Sequence, residues 1–121
     1  MKDHKQVFTK VNVKVDEGIE SVISALSLFP QLSTRESCQG GDKLNANVLF
    51  EYDNTWQEST KFLFEFLSPK LWEKVNNEAW LSIELYLGSI YLITIEMKPK
   101  SIKSIAKSIR AIHKEWLGLV N

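Results

Sequence analysis

The run AWLSIELYLGSIYLITIEM, Ala79 to Met97, constrains this chain more than any other stretch. It combines high β propensity with only two charged side chains, Glu84 and Glu96, both acidic. Such a run folds back on itself at Gly88-Ser89, where glycine supplies the positive φ of a two-residue turn. The resulting register opposes Leu87 to Ile90, Leu85 to Leu92 and Ile83 to Thr94. A segment with so little charge is unsuited to a free sheet edge. The hairpin is therefore expected inside a sheet, or paired with a second subunit in a homodimer.

The remaining periodicities supply partners for that hairpin. VFTKVNVKV alternates strictly, with Val7, Thr9, Val11, Val13 and Val15 on one side, and predicts one strand with a wet outer face. That face disfavours a doubly wound parallel sheet, whose strands are apolar throughout. Asp16 offers a helix N-cap, and Ile19, Val22, Ile23 and Leu26 follow at helical spacing until Pro30. LSTRESC (Leu32 to Cys38) and ANVLFEY (Ala46 to Tyr52) read as strands joined by the turn-rich QGGDKLN. In the second, Ala46, Val48, Phe50 and Tyr52 share a face.

Thr55 and Glu58 match a capping box. The helix it opens carries Phe62, Leu63, Phe66 and Leu67. Ser68-Pro69 interrupts it and begins a further turn anchored by Leu71, Trp72 and Val75. Pro99 opens the last helix, whose apolar positions are Ile102, Ile105, Ile109, Ile112 and Trp116. The predicted order is β-α-β-β-α-β-β-α. It implies an α+β fold: a largely antiparallel five-stranded sheet with helices packed on one face.

The 121 residues fit one domain, 1–121, large enough to need no covalent staples. With 44% hydrophobic and 25% charged residues the chain is not of the disordered class. Fifteen basic and fifteen acidic residues cancel, which counts against a dedicated duplex-binding protein. The single cysteine excludes an internal disulfide and suits a reducing compartment. MKDHKQVFTK lacks the apolar core of a signal peptide, and no run reaches the ~20 apolar residues of a membrane helix. A soluble cytoplasmic domain is expected, without membrane contact.

Few residues suggest chemistry. Lys103, Lys107, Arg110 and Lys114 form a basic stripe opposite the isoleucines of the last helix. An RNA or an acidic protein surface would meet such a stripe, but it also describes the solvated face of an amphipathic helix, and no aromatic residue is interleaved. Nucleic acid is thus possible but not favoured. His4, His113 and one cysteine make no metal pattern, and no cofactor motif stands out. Trp56, Trp72, Trp80 and Trp116 read as core or core-edge residues.

Cys38 is the open case. It packs as a small apolar group at a strand end, or it serves a ligand or a reaction. Gln39, Gly40 and Gly41 follow it, and consecutive glycines let backbone N–H groups turn towards an anion. The candidate ligand-binding set is Thr34, Ser37, Cys38, Gln39, Gly40 and Gly41.

A helix of the form DEGIESVISALSLFPQLST leading to ESCQGG and an apolar strand resembles a family of small bacterial and phage proteins with a Ser-Cys-x-Gly turn. It is also distantly similar to the wybutosine-synthesis tRNA methyltransferases, which show Thr-x-x-Ser-Cys-x-Gly after a comparable helix. The matching positions here are Thr34, Ser37, Cys38 and Gly40, and Gly41 stands where that family has an arginine. The likeness spans Asp16 to about Tyr52. It implies a small enzyme acting on a nucleotide or using S-adenosylmethionine, with a site at this turn. The residues themselves favour a domain that binds a ligand or assembles with itself, with the enzyme and an RNA-contacting module as alternatives.

Overall fold

The computed structural model describes residues 6–8, 14–41, 44–86 and 90–120. Its centre is three rows of apolar side chains running across a sheet. Ala46 lies opposite Met97 and Met97 opposite Ala79. Val48, Ile95 and Leu81 form the second row, and Phe50, Ile93 and Ile83 the third. The strands that carry them are β4 (Ala46–Tyr52), β5 (Ala79–Tyr86) and β6 (Ile90–Met97). With β3 (Leu32–Cys38) they make an antiparallel sheet of order β3-β4-β6-β5. The β4 and β6 members of each row are completely or almost completely buried. Each such large apolar side chain stabilises by roughly 1.5–3 kcal/mol relative to exposure.

The described helices pack on that face. They are α1 (Glu20–Leu26), α2 (Trp56–Thr60), α3 (Ser68–Val75) and α4 (Ile102–Val120). Ile19, Ile23 and Leu26 around α1, and Ile105, Ile109 and Ile112 of α4, are fully buried in one cluster with the sheet rows. Alternation puts Asn47, Leu49 and Glu51 on the other face, with Leu92, Thr94 and Glu96 of β6. That open face carries Glu36, Glu51, Glu84 and Glu96. No helix among the described residues is long and apolar enough to cross a membrane.

The α+β class and the one-sided helical layer match the sequence expectation; the five-stranded sheet does not. The Val7–Val15 segment is not one strand. Gln6–Phe8 (β1) and Lys14–Asp16 (β2) pair with each other in a separate two-stranded sheet, so the alternation belongs to two strands, not one. Residues 9–13 lie outside the described residues. Asp16 lies in β2, opposite Gln6, and the N-cap position of α1 falls at Ile19. A single 3-10 turn, Glu17–Ile19, precedes α1, and the exposed Gly18 N–H donates to Gln39 Oε1 at 2.7 Å.

The hairpin register is shifted by one residue: Ile83 opposes Ile93, Leu85 opposes Tyr91 and Tyr86 opposes Ile90. The expected pairing of Ile83 with Thr94 would have set a core side chain against an open-face one. The Gly88-Ser89 turn and Leu87 lie outside the described residues. Of the two strands, β6 is internal and β5 is an edge.

The capping box is half formed. Thr55 Oγ1 accepts the Glu58 N–H at 3.2 Å, but the Thr55 N–H donates to Asn54 Oδ1 at 2.8 Å, which displaces Glu58 from its reciprocal role. Ser68-Pro69 does not interrupt the chain. A π-helical stretch, Lys61–Leu67, carries α2 directly into α3. Leu71 and Val75 are buried as expected, but Trp72 is 66% exposed and anchors nothing in this fold.

Candidate functional site

The Cys38 turn is built by its own backbone. β3 pairs with β4 through Cys38 opposite Asn47, with a bulge between Thr34 and Glu36. Thr34 and Ser37 oppose Phe50 and Val48, on the helix side of the sheet. Cys38 follows Ser37 along the strand and so lies on the open side, half-buried, its thiol free. Gly40 is buried with φ +76°, a conformation glycine adopts at little cost. Gly41 donates its N–H to Leu44 O at 3.0 Å, and Gln39 Oε1 holds the start of the first helical segment. The structure thus gathers Gln39, Gly40 and Gly41 into one closed turn. It sends Thr34 and Ser37 to the face opposite Cys38.

A larger concavity opens at the far end of β4. Tyr52 is the last β4 residue on the core face, half-buried against the core cluster. Phe62 and Phe66 come from the π-helical stretch, four residues apart. Trp116 extends the apolar stripe of α4 one turn beyond Ile112. Together they wall a cleft of about 670 Å³, inside the ~300–1,000 Å³ range of small-molecule sites. The walls are braced from behind. Tyr52 stacks on Phe62 with ring centres 4.1 Å apart and planes 6° from parallel. The buried Phe29 ring meets Phe62 at 5.3 Å, Trp116 at 5.4 Å and His113 at 5.0 Å, all edge-on. His113 is thereby a core-edge packing residue. No group of three His, Cys, Asp or Glu able to hold a metal occurs among the described residues.

Polar groups reach the same cleft. Gln31 sits in the turn after α1, where its carbonyl accepts the Asp53 N–H at 2.6 Å and ties that turn to the end of β4. Its side-chain Oε1 is buried and has no hydrogen-bond partner. Leaving such an acceptor unmet costs roughly 1–3 kcal/mol. Asn54, Glu58 and Lys61 stand on the rim, all exposed. Glu58 and Lys61 are three residues apart on one helical face, so the mouth offers both charges side by side. Burial raises the Tyr52 phenol above its ordinary value of 10.0; a hydrogen bond from Asn54 opposes the shift and Glu58 adds to it. The phenol is therefore neutral at pH 7 and can donate.

Periodicity places Phe62, Phe66 and Tyr52 on apolar faces and Trp116 in the core or at its edge, and does not foresee the cleft. The available signal was Gln31 and Asn54, amides placed just outside apolar runs that end in aromatic residues. The basic stripe stands where it was expected: Lys103, Lys107, Arg110 and Lys114 are all exposed. Comparison with protein-family models, curated proteins and solved structures finds no match for this chain.

Proposed function

We propose that this protein is a binding module for a small, flat heteroaromatic molecule carrying an N–H donor, a nucleobase-like ring, held in the Tyr52–Phe66–Trp116 cleft. The observation that carries the reading is a cleft walled by aromatic rings and lined by Gln31, whose buried side-chain Oε1 has no hydrogen-bond partner. Aromatic walls favour a planar ligand, because stacking or edge-to-face contact adds about 0.5–1.5 kcal/mol beyond area burial. A site built around an unmet amide rejects ligands that leave it unmet. Lys61 and Glu58 at the mouth suit polar substituents that stay in water. The Gln39–Gly41 turn is engaged in holding the chain's own reversal, so the proposal rests on the cleft. A free thiol fits a reducing compartment, and we assign the module to the cytoplasm.

Calorimetric titration of nucleobases and nucleosides tests it. At least one should bind the native protein, and at 100 times its Kd should stabilise the fold by ~2.7 kcal/mol. Gln31→Leu, which removes the acceptor, and Phe66→Ala, which removes a half-buried wall, should each weaken binding. No binding by any member at millimolar concentration, or unchanged affinity in Gln31→Leu, would overturn the reading.

A further inference from the structure

The two edges of the sheet are unequal. β3 is approached by β2 along the chain's own fold, carries a bulge, and presents Arg35 and Glu36. Bulges and charges are the usual means of blunting an edge. β5 has no bulge and a single charge. It pairs with β6 through eight consecutive residues without a shift of register, and Glu84 is its only charged side chain. Beside it, Trp72 is 66% and Trp80 45% exposed, over a cleft of about 250 Å³ that also touches Leu71, Val75 and Leu81.

We propose that β5 is the contact strand of a homodimer, paired antiparallel with β5 of a second copy about a two-fold axis, so that four strands become eight. Its own alternation argues for a second copy as the occupant. Opposed residues in an antiparallel pair share a face. In β5, Ala79, Leu81 and Ile83 face the core side and Trp80, Ser82 and Glu84 the open side. A strand meeting its own copy keeps both rows matched with the axis beside any residue, and an axis beside Ser82 or Ile83, at the middle of Ala79–Tyr86, pairs the greatest length. In the first arrangement Glu84 meets Trp80 of the second copy; in the second it meets Ser82. In neither does Glu84 meet Glu84, so the single charge raises no barrier to self-pairing. The exposed tryptophans flank the same edge, and the second copy covers them.

Light scattering on a sizing column tests the proposal independently of any ligand. The native protein should run at twice its chain mass. Ser82→Lys/Glu84→Lys places like charges opposite each other with either axis and should raise the dimer Kd about tenfold or more. Both residues are exposed, so its melting temperature as a monomer should stay close to the native one. Ser33→Lys/Glu36→Lys, the same charge change on β3, should leave the dimer intact. Hydrogen exchange gives a readout free of variants: β5 amides should be protected at high concentration and exchange faster on dilution. A native protein at chain mass at its highest soluble concentration would overturn the proposal. So would a dimer undiminished in Ser82→Lys/Glu84→Lys.

Discussion

Two neighbouring glycines in the Cys38 turn do different work. A Cβ added to Gly40 would lie 2.6 Å from Leu44 O and 2.8 Å from Ala46 N, backbone atoms that open β4 and cannot step aside. One added to Gly41 would meet nothing within 4 Å. Gly40→Ala should therefore destabilise by about 2 kcal/mol or more, from left-handed strain and the clash together. Gly41→Ala should change stability by less than about 0.5 kcal/mol. Urea midpoints at constant slope measure both. Tyr52 carries a pH prediction. Its folded pKa is raised, so its contribution to stability is complete below the unfolded value near 10 and is lost as pH rises through the folded one. Tyr52→Phe should lose less stability than the native protein on passing from about pH 8 to pH 11 in denaturation series. At this scale the sequence was half legible. GG announces a turn, but which glycine is indispensable depends on how closely Leu44 and Ala46 return, and that is a tertiary distance.

Elements were legible where both period and punctuation spoke. β3 and β4 run over Leu32–Cys38 and Ala46–Tyr52 as read, because turn residues bracket each and Ala46, Val48 and Phe50 alternate with less buried partners. The hairpin register was not, because Leu85, Leu87, Ile90, Leu92 and Ile93 are apolar on both parities, so alternation cannot choose between neighbouring pairings. The same ambiguity hides the π-helical stretch. KFLFEFL is apolar on both sides of a helix, and a winding of more than 3.6 residues per turn leaves no mark in such a run. Thr55 was legible because its cap is local. Thr55→Ala should cost about 1 kcal/mol in a thermal or chemical melt. Glu58→Gln should cost much less, since Asn54 already holds the N–H that a capping box would give to position 58.

Over the whole molecule, the fold class followed from pattern, whereas the cleft did not. It joins Gln31, Tyr52, Phe62 and Trp116, residues far apart in the chain, and nothing local distinguishes a wall from a core. The two charge-bearing surfaces belong to this scale as well. Lys103, Lys107 and Arg110 are exposed on α4 and take no part in the ion pairs that join Lys70 and Lys74 to Glu115. Replacing all three by serine should leave the melting temperature within a few degrees of the native value, as solvated charges contribute little. Differential scanning measures this. Submicromolar RNA binding lost in the same variant would restore the nucleic-acid alternative.

The open sheet face is acidic and the outer ridge of α4 is basic, on opposite sides of a layer built from one sheet and one tier of helices. Of the chain's fifteen acids and fifteen bases, these two faces hold four glutamates, one of them paired with Arg35, and four bases, so they contribute opposite charge to the two sides of that layer. In dilute electrolyte such a particle turns before it touches, offering lysines to a polyanion and glutamates to a polycation. At physiological salt the ~8 Å Debye length confines that preference to the last few water layers.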